Sequence, residues 1–287
     1  MVSKYMRLSL TQLSDILPAI SGCARQLSEL TGDKYVAGIW RKSFANYLLW
    51  HIKDSRKSRA RPKWNAPTWS WASMASGQEL LFFEKVNVDC LKQLLSSSVI
   101  NRIQCVPKSD RNPFGEISPG TGSLRFHAQL FRCHIRYFCV SSKRALDMAG
   151  GMKHQRHYRL HQQKYRQKYD KVSIKLCDLP VPGVDTRGGT FDLLPDIPLR
   201  DALEWRESQV CENCKLAQIS LLQVGNVTEG NMRRDYFMML RAIGVGVGSY
   251  ERIGLATLLR QTVDQRKVWF EEVWQKGALP PEEITIN

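Results

Sequence analysis

The most regular alternation of apolar and polar positions in this chain runs from 124 to 137. Leu124, Phe126, Ala128 and Leu130 alternate with Arg125, His127 and Gln129. The phase then slips by one residue, so that Phe131, Cys133, Ile135 and Tyr137 alternate with Arg132, His134 and Arg136. A straight strand would expose one of the two apolar sets, because strand side chains repeat every two residues. The pattern therefore predicts a bulge or a sheet-changing bend near Leu130-Phe131 and a curled antiparallel sheet.

Further strand signals fall at 80–86, 172–176, 219–224, 236–243 and 250–255, and Ile284-Thr285-Ile286 closes the chain as a short strand. Gly244, Gly246 and Gly248 make the connection before Tyr250 tight. Two prolines and three glycines mark 110–122 as a loop. The front is helical. Ser14-Asp15 reads as a helix start with Pro18 in the first turn. Leu17, Ile20, Ala24, Leu27 and Leu30 form an apolar stripe, and Gly32 is the stop. A second short helix is predicted over 44–51, with Phe44, Tyr47, Leu48 and His51 on one side, and a helix-like piece holds Phe270 and Trp274.

Between the two parts lies Ala66-Pro67-Thr68-Trp69-Ser70-Trp71-Ala72-Ser73. Pro67 biases Ala66 away from the helical region, so the run is expected to be extended, with Trp69 and Trp71 on one face as a core anchor. These elements predict an α+β, mainly β fold, with a short helical N-terminal segment packed on an antiparallel β-sandwich or partly open barrel. The expected organisation is a helical segment at 1–52, a basic connector at 53–65 too polar to pack, and a β-rich domain at 66–287 with a basic insertion near 141–171.

Charge sharpens this division. Lysine and arginine number 42 against 27 acidic residues, a formal net charge of +15. Lys53, Arg56, Lys57, Arg59, Arg61 and Lys63 fall in the connector; Lys153, Arg156, Arg159, Lys164, Arg166, Lys168 and Lys171 fall in the insertion. Such blocks are expected as solvated loops or mobile arms. The alternative is a basic nucleic-acid-binding protein, in which Tyr158, Tyr165 and Tyr169 stack on bases while the cations meet phosphates. The apolar stretches are too short for a membrane span, there is no signal-peptide core, and the eight cysteines lack a framework spacing. The expectation is a cytoplasmic chain with reduced thiols.

No residue set spells out a catalytic, cofactor or metal site. Cys211-Glu212-Asn213-Cys214 has no second CxxC or HxxxH at finger spacing, and Cys133, His134 and Cys139 could join it only through tertiary structure. His154, His157 and His161 could share a helix face, without a carboxylate placed to orient them. The 244–248 glycines lack the Lys-Ser/Thr of a phosphate loop, and no GxSxG elbow is present. The expectation is a non-enzymatic protein.

Four blocks together resemble the region that follows the HET domain in heterokaryon incompatibility proteins of filamentous fungi. Tyr5, Arg7, Leu10-Thr11, Asp15, Leu17-Pro18-Ala19-Ile20-Ser21-Gly22 and Ala24 match one stretch. Tyr35, Ala37-Gly38-Ile39-Trp40-Arg41 and Leu48-Leu49-Trp50 match a second. Arg61-Pro62 and 66–73 match a third, with Thr68 for the usual Ser, and Tyr250-Glu251-Arg252-Ile253-Gly254 a fourth. The match is dense from Tyr5 to Ser73, sparse in the middle, and returns near Tyr250.

The resemblance implies an accessory or recognition region in fungal nonself recognition and cell-death signalling, with an unknown protein partner. The HET domain, related in fold to Toll/interleukin-receptor domains, would lie upstream of Tyr5, which implies a truncated or HET-less relative. Trp40, Trp50, Trp69 and Trp71 are expected in the core.

Overall fold

A computed structural model describes residues 1–54, 59–96, 103, 105–138, 172–175, 191–204, 206–208, 211–244, 248–261 and 280–287. The whole second basic block with its histidines and tyrosines, Arg56 and Lys57, Gly246, and the piece around Phe270 and Trp274 lie outside the described residues.

The fold is mainly β with few helices. Two short strand pairs form the front: β1 (Tyr35–Val36) with β2 (Ile39–Trp40), and β3 (Trp50–Ile52) with β4 (Leu80–Phe82). The main sheet contains β5 (Leu124–Ala128), β6 (Phe131–Phe138), β7 (Val172–Lys175), β8 (Phe191–Pro195), β9 (Arg206–Ser208), β10 (Cys211–Glu229), β11 (Met232–Ala242), β12 (Ser249–Gln261) and β13 (Glu282–Ile286). Its hydrogen-bonded order is β5-β13-β12-β11-β10-β6-β7, with β8 on β12 and β9 on β10. All pairings are antiparallel except β12 with β13.

This order forces curvature. Strands β5 and β6 are five steps apart along the hydrogen-bonded path, roughly 24 Å in a flat sheet. Yet only Gln129 and Leu130 separate them in sequence, a reach of about 11 Å at most. The sheet must bend round to bring them together, and Arg132 at the start of β6 accordingly reaches the Tyr250 hydroxyl on β12. Strands β7 and β8 also approach within 8 Å, Cα to Cα, without pairing. The result is a partly open barrel.

The phase slip at Leu130-Phe131 is the corner of that barrel. Leu124, Phe126, Ala128 and Leu130 are buried, and so are Phe131, Cys133 and Ile135, while Arg125, His127, Gln129 and Arg132 are exposed. Strands β10 to β12 run well beyond their predicted apolar cores. Their ends alternate polar residues, such as Asn226, Thr228, Arg233 and Gln261, that leave little apolar signal yet pair through the backbone. Conversely, the 80–86 signal yields a strand only at Leu80–Phe82. The helix Asp89–Ser96, which packs against β10 and β5, was not expected from the pattern.

The front departs from expectation in three places. Residues Leu13–Ile16 and Pro18–Ile20 form single 3-10 turns, and the α-helix proper is Ser21–Thr31, stopped by Gly32 at φ +59°. Pro18 has no N–H with which to bond Ser14, so the first turns cannot close as an α-helix. Ile20 and Ala24 are buried as predicted, whereas Leu30 is 82% exposed.

The predicted 44–51 helix stops at Tyr47, and Trp50 and His51 lie in β3 instead. The carbonyls of Leu48 and Trp50 are taken by Arg252 from across the molecule, which draws the chain out of the helix.

The Trp69-Trp71 run is a turn followed by a 3-10 turn at Trp71–Ser73, not an extended strand. The Ser70 hydroxyl accepts from the Ala72 N–H at 3.0 Å and caps it. Trp69 and Trp71 are both fully buried but do not share a face. Trp69 packs on Phe44 with ring centroids 5.3 Å apart, and Trp71 meets Tyr5 edge-on at 6.2 Å.

The buried residues from Met6 to Ile286 form one contiguous core, with front and barrel contributing side by side. Among the described residues, no helix is long and apolar enough to cross a membrane.

Candidate functional site

The densest polar arrangement centres on Arg252 in β12, whose side chain is completely buried. Its Nε donates to Asp196 Oδ2 at 2.8 Å, and Nη2 lies 3.4 Å from Asp196 Oδ1. Nη1 and Nη2 donate to the carbonyl oxygens of Leu48 and Trp50, and the guanidinium sits 3.8 Å from the Trp50 ring centroid. Only a planar, multiply donating cation satisfies a carboxylate, two carbonyls and an aromatic face together.

The connector supplies the second cation. Contrary to the expectation of an unpacked basic segment, the Arg61 side chain is 14% exposed and donates through Nη2 to the Arg252 carbonyl. It lies 3.8 Å from Asp196 and 3.9 Å from Glu251, which in turn pairs with Arg241. Three arginines thus alternate with two carboxylates. Burial pushes the Asp196 carboxyl up, while Arg252 and Arg61 pull it down. Burial is the larger effect and leaves it above its ordinary value, while the two guanidiniums on it favour the ionised form. Burial also brings Arg61 down to about 10, against the pull of Asp196 and Glu251.

Around this ion network the three buried indoles each donate to a backbone carbonyl. Trp50 Nε1 reaches Trp69 O at 2.9 Å, Trp69 Nε1 reaches Gly122 O at 2.6 Å, and Trp71 Nε1 reaches Gly38 O at 2.7 Å. Ser70 Oγ donates to Ala37 O. Thr68 Oγ1 accepts from the Arg252 N–H at 3.0 Å and donates to Asn287 O. Gly38, at φ +91° in the β1–β2 turn, is required twice over, since a Cβ there would come within 2.8 Å of the Trp71 indole. Trp40 is only half-buried, against Tyr35 at 5.0 Å, and so is less of a core residue than expected.

The arrangement has the chemistry of a lock. Asp196 has no exposed surface and its oxygens face two guanidiniums, so it offers no base to a substrate. A small cleft beside β1 is lined by Leu17, Tyr35, Cys105, Pro107, Phe114 and Ile117. Burial pushes its Cys105 thiol up to about 12, which removes it as a nucleophile at neutral pH.

No family model, curated protein or solved structure matches this chain.

Of the residues weighed for chemistry, Cys211 and Cys214 lie in β10, opposite Ser208 and Phe138, rather than in a tight ligand-presenting turn. Cys133 faces the core, and the adjacent His134 occupies the opposite face of β6. Among the described residues, no group of three or more His, Cys, Asp or Glu could hold a metal ion. The key members of the ion network were not assigned roles from sequence. Arg252 interrupts an apolar strand, which is the signal that marks it; Asp196 follows a strand that the pattern did not predict.

Proposed function

We propose that this chain is a non-enzymatic recognition or regulatory region of the heterokaryon-incompatibility type, acting in nonself response through a protein partner. One observation supports the reading above all. The four separated blocks of the resemblance meet in space, residue by residue: Tyr5 on Trp71, Trp71 on Gly38, Trp50 on Trp69, and Arg252 on Trp50, Thr68 and Arg61. Motifs that share one interlocked core are explained together as a single module.

The fourth block illustrates this. Tyr250 bonds Glu282, Glu251 pairs with Arg241, Arg252 centres the network, and the Ile253 carbonyl accepts from the Asp196 N–H at 2.9 Å. Gly254 admits β8, because a Cβ there would lie 2.6 Å from Leu194 O.

The test is a growth assay in a filamentous fungus. A HET domain fused upstream of this chain is expected to trigger cell death that disappears when the chain is replaced by an unrelated domain of similar size. Equal death with both fusions would overturn the reading.

The nucleic-acid alternative retains the overall charge of +15 but loses part of its first block, since Arg61 is consumed in the core and Lys53 pairs with Glu79. It predicts retention on single-stranded DNA that weakens steeply with salt.

A further inference from the structure

We propose that His51 is an acid-sensitive latch that holds the β3–β4 layer on the barrel. The inference is independent of the incompatibility reading.

His51 is 8% exposed, and its ring stacks on Phe83 with centroids 4.3 Å apart and planes 15° from parallel. Phe83 in turn meets Tyr236 of β11 edge-on at 4.7 Å. His51 Nδ1 is buried without a hydrogen-bond partner among the described residues. Trp50, the residue before it, and Leu48, two further back, hold the Arg252 guanidinium through their carbonyls. The latch is therefore stacked on an apolar ring and adjoins, through the Trp50 carbonyl, a buried cation.

The groups facing it decide what a proton would do. From β12 comes Arg252; behind it, after β8, stands Asp196, already shared with Arg61 of the connector. From β11, Tyr236 lies beyond Phe83; from β4, the register partner is the uncharged Leu81. Among the described residues no ion pair joins His51 to a carboxylate, and the arginines of the network already outnumber its carboxylates by one. A charged His51 would be a buried cation beside another cation. Burial first, and Arg252 second, accordingly hold its pKa down at about 4.

The direction follows from linkage. Once β3 leaves the barrel, His51 regains an ordinary value near 6.5. Between that value and about 4, the detached state takes up a proton that the docked state refuses. The docked state is therefore fully favoured above pH 6.5 and loses ground as the pH falls. The docked-to-detached ratio drops about tenfold from pH 7.5 to 5.5 and nearly thirtyfold by pH 5.

Hydrogen exchange on the full chain tests this, with amide protection in Trp50–Ile52 and Leu80–Phe82 compared against β10 and β11. Protection of the β3–β4 amides, corrected for intrinsic exchange, is expected to fall about tenfold relative to the barrel between pH 7.5 and 5.5, and to stay level in His51→Gln. A parallel fall in all strands, or the same fall in His51→Gln, would overturn the latch. Should His51→Gln not fold, an NMR titration of the wild-type histidines decides. A resonance in contact with Phe83 that stays neutral to below pH 5 supports the proposal, and one titrating near 6.5 in the docked protein ends it.

Discussion

The guanidinium of Arg252 lies 3.8 Å from the ring centroid of Trp50, and the same side chain donates to the Trp50 carbonyl. One residue of the barrel thus fixes both the ring and the backbone of one residue of the front. Its counter-ion, Asp196, comes from a third segment, so the cation is paid for only when all three are assembled.

Removing either charge should therefore be severe. Arg252→Met leaves the Asp196 carboxylate buried with Arg61 alone, and Asp196→Asn leaves Arg252 without its anion. Each is expected to cost about 3–5 kcal/mol in urea unfolding, the range for breaking a buried pair by one partner. The double variant should cost clearly less than the sum, because the second change removes the charge that the first orphaned. Strict additivity would mean that the pair does not act as a unit.

Gly254→Ala tests how Asp196 is brought into place. The new methyl would meet Leu194 O at 2.6 Å and the Pro195 Cα at 2.8 Å, both backbone atoms that cannot rotate away. Strand β8 must shift, and Asp196 with it. A loss of about 1–3 kcal/mol is expected, within the usual range for a damaging single change. An unchanged thermal melt would show that β8 has room to move.

Trp71→Ala should cost about 3–5 kcal/mol by chemical denaturation. It removes a fully buried indole that contacts Tyr5 and donates to Gly38 O. Trp40→Ala, at a half-buried position, should cost visibly less. Equal losses would contradict the burial difference.

The second basic block should be separable from the fold. Tyr137 and Val172 are register partners on β6 and β7, so the segment between them starts and ends at neighbouring points. It holds nine lysines and arginines against two acidic residues over 139–171. Replacing 140–169 with a short Asn-Gly turn is expected to leave the melting temperature within a few degrees and to abolish low-salt retention on single-stranded DNA. A collapse of the melt would show that the segment supports the barrel.

What the sequence alone determined was the class of fold and the places where local physics is decisive. The 124–137 phase slip required a bend, because alternation leaves no other way to bury both apolar sets, and a barrel corner stands there. Gly32 ended its helix because a left-handed cap favours glycine. The charge of +15 and the blocks that carry it were likewise plain.

What only the tertiary structure decided was the destination of each bond. Residues 44–51 have a helical pattern, but Arg252, some two hundred residues later, takes the Leu48 and Trp50 carbonyls. The Trp69-Trp71 run alternates like a strand, but its indole N–H groups find carbonyls in separate segments, and a turn satisfies them. Arg61 reads as part of a solvated basic connector, yet Asp196 and Glu251 draw it inside. In each case a long-range polar partner outweighs a local preference worth a fraction of a kilocalorie per residue, because a buried donor or charge left unmatched costs several times more.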